Sequence, residues 1–201
     1  MKSCTVVCGY KPNIKEIIGD VIGVDKGCLY LIEKGINIKL ALGDFDSVNE
    51  QQYGLIKTKS ENLIKLDPVK DDTDLEHCLK YLETNGYRNV NIYGALGGRL
   101  DHEMINIKLC YLSKMNIKLI DDSQIIYKLE KGIHYIQKNN YQYLSLICFD
   151  KALINLTGVK YPISYKEIDF DDLYTTSNEI NEQSAKLEVL SGRVLVIQCR
   201  D

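Results

Sequence analysis

An α/β N-terminal domain with a mostly parallel sheet, followed by an all-β C-terminal sandwich, is the architecture that the sequence predicts. Three observations predict it. Up to residue 122, short apolar runs alternate with helical periods, and several of the runs end at glycine. Eleven of the 14 glycines lie in that first part. Beyond it, short β-branched or aromatic runs follow one another with no long helical period.

Taken in order, 5–8 (TVVC) and 20–25 (DVIGVD) read as the first strands. Residues 39–42 (KLAL) run into Gly43, 89–93 (NVNIY) run into Gly94, and 117–120 form one more strand. Over 74–83, Leu75, Cys78, Leu79 and Leu82 recur at i, i+3, i+4 and i+7, one face of a helix. Residues 100–115 are apolar on more than one side, as in a helix buried against a sheet. The later runs are 125–129, 133–136, 143–149, 153–156, 187–190 and 194–198. Lys131-Gly132, Asn139-Asn140 and Ser191-Gly192 are read as turns between them. The boundary falls near Asp121–Ser123, giving domains 1–122 and 123–201. No Pro/Gly/Ser linker marks it.

Composition narrows the function. The chain has 201 residues, 45% hydrophobic and 26% charged, the balance of a folded globular protein. Its formal charge of -3 is spread over both parts, so nucleic acid and anionic membranes are not expected as partners. No run approaches the ~20 apolar residues of a membrane span. The apolar stretch near the N-terminus is too short for a signal peptide. The seven cysteines are scattered, with no CxxC and no zinc spacing, which reads as reduced thiols in a cytoplasmic protein.

The chemistry concentrates in three segments. In Leu42-Gly-Asp-Phe-Asp-Ser47, Asp44 and Asp46 follow a strand, and in an extended chain both carboxylates point one way. Two hard anionic ligands suit Mg2+ with substrate phosphates. A turn, or a helix cap by Asp46 or Ser47, is the plain alternative. In Lys70-Asp-Asp-Thr-Asp-Leu-Glu76, acidic residues open a helix that Thr73 can cap, as the helix dipole alone would favour. Read functionally, Lys70 meets phosphate and Asp74 holds metal. In Gly94-Ala-Leu-Gly-Gly-Arg-Leu-Asp-His102, Gly97 and Gly98 let backbone approach phosphate, Arg99 can grip it bidentately, and Asp101 and His102 enter the first helical turn. Neither a P-loop nor a GxGxxG fingerprint is present. Strand ends of one parallel sheet converge, so these segments describe one metal–polyphosphate site, and phosphoryl transfer is its natural chemistry. A phosphohydrolase with Asp44 as nucleophile and a non-catalytic ligand sensor that keeps the fold are the competing readings.

LGDFDS, KDDTDLE and GALGGRLDH, in that order, resemble the thiamine pyrophosphokinase family. Thr157-Gly-Val-Lys-Tyr-Pro-Ile163 is similar to that family's G-L-K-(W/Y)-P-L segment, and Thr176-Ser-Asn-Glu179 to its S-N-E segment. Gly23-Val-Asp-Lys-Gly27 resembles G-A-D-G-G, with Lys26 where glycine is usual. The resemblance implies Mg2+-dependent transfer of the pyrophosphoryl group of ATP to the thiamine hydroxyl, releasing AMP. It implies a homodimer whose active site lies at the interface, the C-terminal domain serving thiamine binding and dimerisation. It places Asp44, Asp46 and Asp74 at the metal. Asp25, Lys70, Thr73, Gly97, Gly98, Arg99 and His102 fall on the ATP phosphates, and Asp46, Asp74, Arg99 and Asp101 on catalysis. Asp101 would orient or deprotonate the hydroxyl, or act as a further metal-side carboxylate. Tyr161 would offer its ring to the thiazolium, and Ser177 and Asn178 would bond the aminopyrimidine.

Overall fold

The structure is a computed structural model describing residues 1–201. It divides into two compact units, Met1–Asp121 and Asp122–Asp201.

The first unit is a parallel sheet with helical crossovers. Its strands are β1 (Lys2–Val7), β2 (Asp20–Val24), β3 (Leu40–Gly43), β4 (Leu63–Lys65), β5 (Tyr87–Tyr93) and β6 (Asn116–Ile120). They pair in the order β6-β5-β1-β2-β3-β4, every pair parallel. The chain builds outward from β1 to β4 and then returns to the other side of β1 with β5. A crevice opens at that reversal, beyond the carboxyl ends of β1 and β5. Such strands are covered on both faces and read as apolar runs. Val6, Val7, Ile22, Ala41, Leu42, Ile92 and Leu119 are accordingly buried.

Four helices connect the strands: α1 (Gly27–Glu33), α2 (Glu50–Lys59), α3 (Asp74–Thr84) and α4 (Leu100–Leu112). In α3 the buried residues are Leu75, Cys78, Leu79 and Leu82, the expected face. The sequence reading passed over α2 and β4, because α2 buries Ile56 alone and β4 spans three residues. Asn49 caps α2: its side chain accepts from the N–H of Gln52, and the Gln52 side chain accepts from the N–H of Asn49. Asp46 and Ser47 are therefore not the cap of that helix. Helix α4 corrects a further expectation. It ends at Leu112 and buries only Cys110 and Tyr111, while Leu100, Met104, Ile105 and Leu112 remain exposed. Its multi-sided apolar pattern is not explained by burial against the sheet.

The second unit is antiparallel: β7 (Gln124–Gln137), β8 (Tyr143–Ile147), β9 (Lys151–Thr157), β10 (Ile163–Asp169) and β11 (Ser184–Cys199). The expected turns at Lys131-Gly132 and Ser191-Gly192 are not strand ends. β7 and β11 run through them as two long strands, paired on either side of a register shift between Val189 and Arg193. Gly132 and Gly192, with φ of 150° and 77°, supply bends that β-branched residues do not adopt. The first part of β11 pairs with β9, and its last part pairs with β8. Ile136, Leu144, Leu156, Leu187, Val194 and Val196 belong to the core that these strands enclose.

Candidate active site

A cleft of about 810 Å3 lies at the carboxyl edge of the parallel sheet, lined entirely by first-unit residues. Each of the three motif segments reaches it. Cys8, Gly9 and Tyr10 follow β1, Asp25 and Lys26 follow β2, and Asp44 and Ser47 follow β3. Lys70–Asp74 arrive with α3, and the Gly94–Arg99 loop follows β5. His102 and Asn106 add a face of α4.

The carboxylates converge by a turn rather than by strand alternation. β3 ends at Gly43, and Phe45 adopts a left-handed φ of 58°. The turn brings the N–H of Asp46 to Asp44 Oδ1 at 3.2 Å. A bulky residue avoids this conformation unless its surroundings impose it. Here the Phe45 ring is buried, 5.3 Å from the ring of Tyr53. Asp25, with φ of 49°, is a second left-handed residue at the cleft. Oxygens of Asp25, Asp44 and Asp46 all lie within 4.8 Å of one another. Ser47 Oγ donates to Asp25 Oδ2, whereas Asp25 Oδ1 is buried without a hydrogen-bond partner. Three hard oxygen donors, one with an unsatisfied lone pair, fit a cation such as Mg2+.

Geometrically, Asp25 lies with Asp44 and Asp46, and Asp74 reaches Asp44 through a lysine. Lys70 Nζ lies 3.0 Å from both Asp44 Oδ2 and Asp74 Oδ1, so one ammonium ties the trio to the start of α3. Burial pushes Asp25 above the usual carboxylate range, with the charges of Asp74 and Asp44 adding to it and the Ser47 bond opposing. Burial acts in the same direction on Asp44, but hydrogen bonds from Lys70 and from the Asp46 N–H outweigh it and leave Asp44 low. Burial alone would lower Lys70; its two carboxylate partners raise it instead. Thr73 accepts from the N–H of Glu76 at 3.1 Å and so caps α3 while lining the cleft.

The glycine loop is shaped by its neighbours. Gly97 and Gly98 have φ of 81° and 77°, and a Cβ on Gly97 would lie 2.4 Å from the ring of Tyr10. Tyr10, missed in the sequence because a lone tyrosine after a strand carries no pattern, covers both glycines. Asn106 Nδ2 donates to the carbonyl of Ala95 at 2.8 Å, another contact without a sequence signal. Arg99 and Asp101 form a bidentate pair, Nε to Oδ1 at 3.1 Å and Nη2 to Oδ2 at 2.5 Å. The guanidinium pulls the Asp101 carboxyl down to about 2. So weak a base is poorly matched to proton abstraction near neutral pH. In this structure Asp101 positions Arg99. Cys8, which also lines the cleft, has its thiol pushed up to about 12, chiefly by burial and further by the charges of Asp74 and Asp25.

The thiamine-side candidates lie in the second unit. Tyr161 is 59% exposed, its ring 5.5 Å from the ammonium of Lys160. Ser177 has φ of 56° and is exposed, its N–H donating to Ser145 Oγ at 3.0 Å. Asn178 is buried, its Oδ1 accepts from the N–H groups of Tyr161 and Glu179, and its Nδ2 donates to the Tyr161 carbonyl at 2.8 Å. Its amide thus fastens the Tyr161 turn.

A doubly covered parallel sheet with carboxylates, a shared lysine and a glycine turn at its switch point defines a nucleotide-dependent transferase of the α/β class. Residues 18–121 match the family described as thiamin pyrophosphokinase, catalytic domain, and 133–194 match its vitamin B1 binding domain. The chain belongs to the thiamin pyrophosphokinase family. A thiamine pyrophosphokinase of Bacillus subtilis is 34% identical, with all of both chains covered. Among solved structures, a thiamin pyrophosphokinase family protein from Enterococcus faecalis has a TM-score of 0.88 at 28% identity, again covering all of both chains. The Bacillus subtilis thiamine pyrophosphokinase structure has a TM-score of 0.85 at 29% identity over the same extent.

Proposed function

We infer that this chain is a thiamine pyrophosphokinase, transferring the pyrophosphoryl group of ATP to the hydroxyl of thiamine. The observation that carries this reading is the carboxylate trio joined through Lys70 to the start of α3, in a chain matched from end to end by thiamine pyrophosphokinases. The thiamine oxygen forms a bond to the β-phosphorus, the bridge from that phosphorus to the α-phosphate oxygen breaks, and AMP leaves. The hydroxyl proton passes to solvent. Asp25, Asp44 and Asp46 would hold Mg2+, which supplies charge neutralisation for the triphosphate. Asp74 orients Lys70, and Lys70 exchanges carboxylate for phosphate contacts when substrate arrives. Arg99, held by Asp101, grips phosphate oxygens, and the backbone of Gly97 and Gly98 admits them closely, with Thr73 and His102 at the rim. Positioning and electrostatics dominate such a transfer, so a carboxylate as weakly basic as Asp101 suffices beside the nucleophile.

Tyr161 offers a face to the cationic thiazolium, Ser177 a hydroxyl and Asn178 its amide to the aminopyrimidine, while the Asn178 side chain also fixes the Tyr161 backbone. Residues 1–122 act as the ATP and Mg2+ domain and 123–201 as the thiamine-binding and dimerisation domain. A homodimer with its active site at the interface is supported by the exposed apolar side chains of α4 and by exposed Ile133 and Tyr135 on β7. A cytoplasmic location accords with seven free cysteines, and no helix is long and apolar enough to cross a membrane. Incubation with ATP, thiamine and MgCl2, followed by chromatography, is expected to yield AMP and thiamine diphosphate in equal amounts. Phosphate release that ignores thiamine would overturn the reading.

A further inference from the structure

Besides His102, three cationic side chains line the cleft, and two of them are already neutralised by protein carboxylates. Lys70 lies between Asp44 and Asp74, and Arg99 is gripped by Asp101. Lys26 has no ion pair, side-chain hydrogen bond or ring contact, although five aspartates line the same cleft. Its position is nonetheless built. The residue is the helical N-cap of α1, and its Cβ would lie 2.9 Å from a Cβ placed on Gly9. Only glycine at position 9 leaves room for the Lys26 stem against the end of β1. An exposed lysine that lines an acidic cleft without a carboxylate on it is a cation available to an incoming anion.

We propose that Lys26 is a nucleotide-binding residue whose ammonium contacts the polyphosphate of ATP, supplying the uncompensated positive charge of this cleft. The assignment rests on the ATP-dependent reading above and adds to it a residue where the family pattern carries glycine. Lys70 and Arg99 must give up carboxylate contacts to bind phosphate. Lys26 has none to give up, so its charge acts on the ligand undiminished.

The test is titration calorimetry of α,β-methylene-ATP with Mg2+ on the full chain and on Lys26→Met and Lys26→Arg. Removing one charge-assisted contact is expected to weaken binding by about tenfold in Lys26→Met, and Lys26→Arg retains most of the affinity. The gap between wild type and Lys26→Met shrinks as salt rises, because a partly exposed charge is screened. The KM for ATP rises in step, while the KM for thiamine holds. Equal affinity in wild type and Lys26→Met overturns the proposal. So does a loss that is insensitive to salt, since it points to packing on Gly9 rather than to charge. Salt-sensitive binding through Lys26 without formation of thiamine diphosphate overturns the functional reading and leaves Lys26 in place.

Discussion

Asp25 carries opposite consequences for stability and for function. Its carboxyl is held above the ordinary range by burial, so the ionised form is disfavoured in the folded chain. A folded value above the unfolded one means that the contribution to stability is greatest at low pH and is lost as pH rises through the folded value. Asp25→Asn keeps an oxygen for Ser47 and removes the buried charge. It is expected to raise the melting temperature by about 2–4 °C at neutral pH, with the gain fading in acid. The same change removes one of three metal-side carboxylates and lowers Mg2+-dependent turnover by orders of magnitude. Thermal melts from pH 4 to 8 beside an activity assay check both halves; a neutral Asp25→Asn melt lower than wild type contradicts the first. Asp46→Asn, exposed and without such a burial penalty, is expected to lose activity at unchanged stability. Asp101 differs again. With its carboxyl at about 2, it keeps its charge throughout the working range, so the pH–rate profile of Asp101→Asn should match the wild-type shape at a lower plateau.

At the scale of elements, legibility followed pattern length. Helix α3 was readable because four apolar residues repeat over two turns, and the glycine loop because Gly97, Gly98 and Arg99 stand together between a strand and a helix. Asp44 and Asp46 were readable as a pair, but not the Phe45 turn that joins them, since a positive φ in phenylalanine has no sequence mark. The bends of β7 and β11 were mistaken for turns, because Lys-Gly and Ser-Gly specify a local reversal or a bulge equally well and only the partner strand decides. The bonds of Asn178 to the Tyr161 backbone were not legible, because they join residues 17 positions apart. Asn178→Ala removes two side-chain bonds to Tyr161 and one to the Glu179 N–H, and is expected to cost about 1–3 kcal/mol in stability. It should also raise the KM for thiamine while leaving that for ATP alone. An unchanged thiamine KM would separate Asn178 from the substrate side. Gly97→Ala combines an unfavourable φ with collision against Tyr10. Tyr10→Ala in the same chain relieves only the collision, so partial recovery of activity is expected.

For the molecule as a whole, the interface reading predicts an apparent mass of twice 22.9 kDa in solution. It also predicts that Tyr161→Ala and Asp101→Asn subunits, each impaired alone, recover activity when mixed and reassociated. No recovery argues that each chain builds its site unaided. The acidity of the chain takes on meaning at this scale. A net charge of -3 conceals a cleft bearing Asp25, Asp44, Asp71, Asp72 and Asp74, a concentrated local anionic field that the total does not suggest.

The left-handed turn at Phe45 ties the chemistry to the interior. The ring that holds Asp44 and Asp46 in register is seated in the same apolar cluster as Val7, Leu31 and Ile56, against Tyr53. A substitution at Tyr53, which touches no substrate, changes the seating of Phe45 and with it the spacing of two carboxylates. Carboxylate spacing at the cleft is therefore a property of core packing as much as of the turn itself.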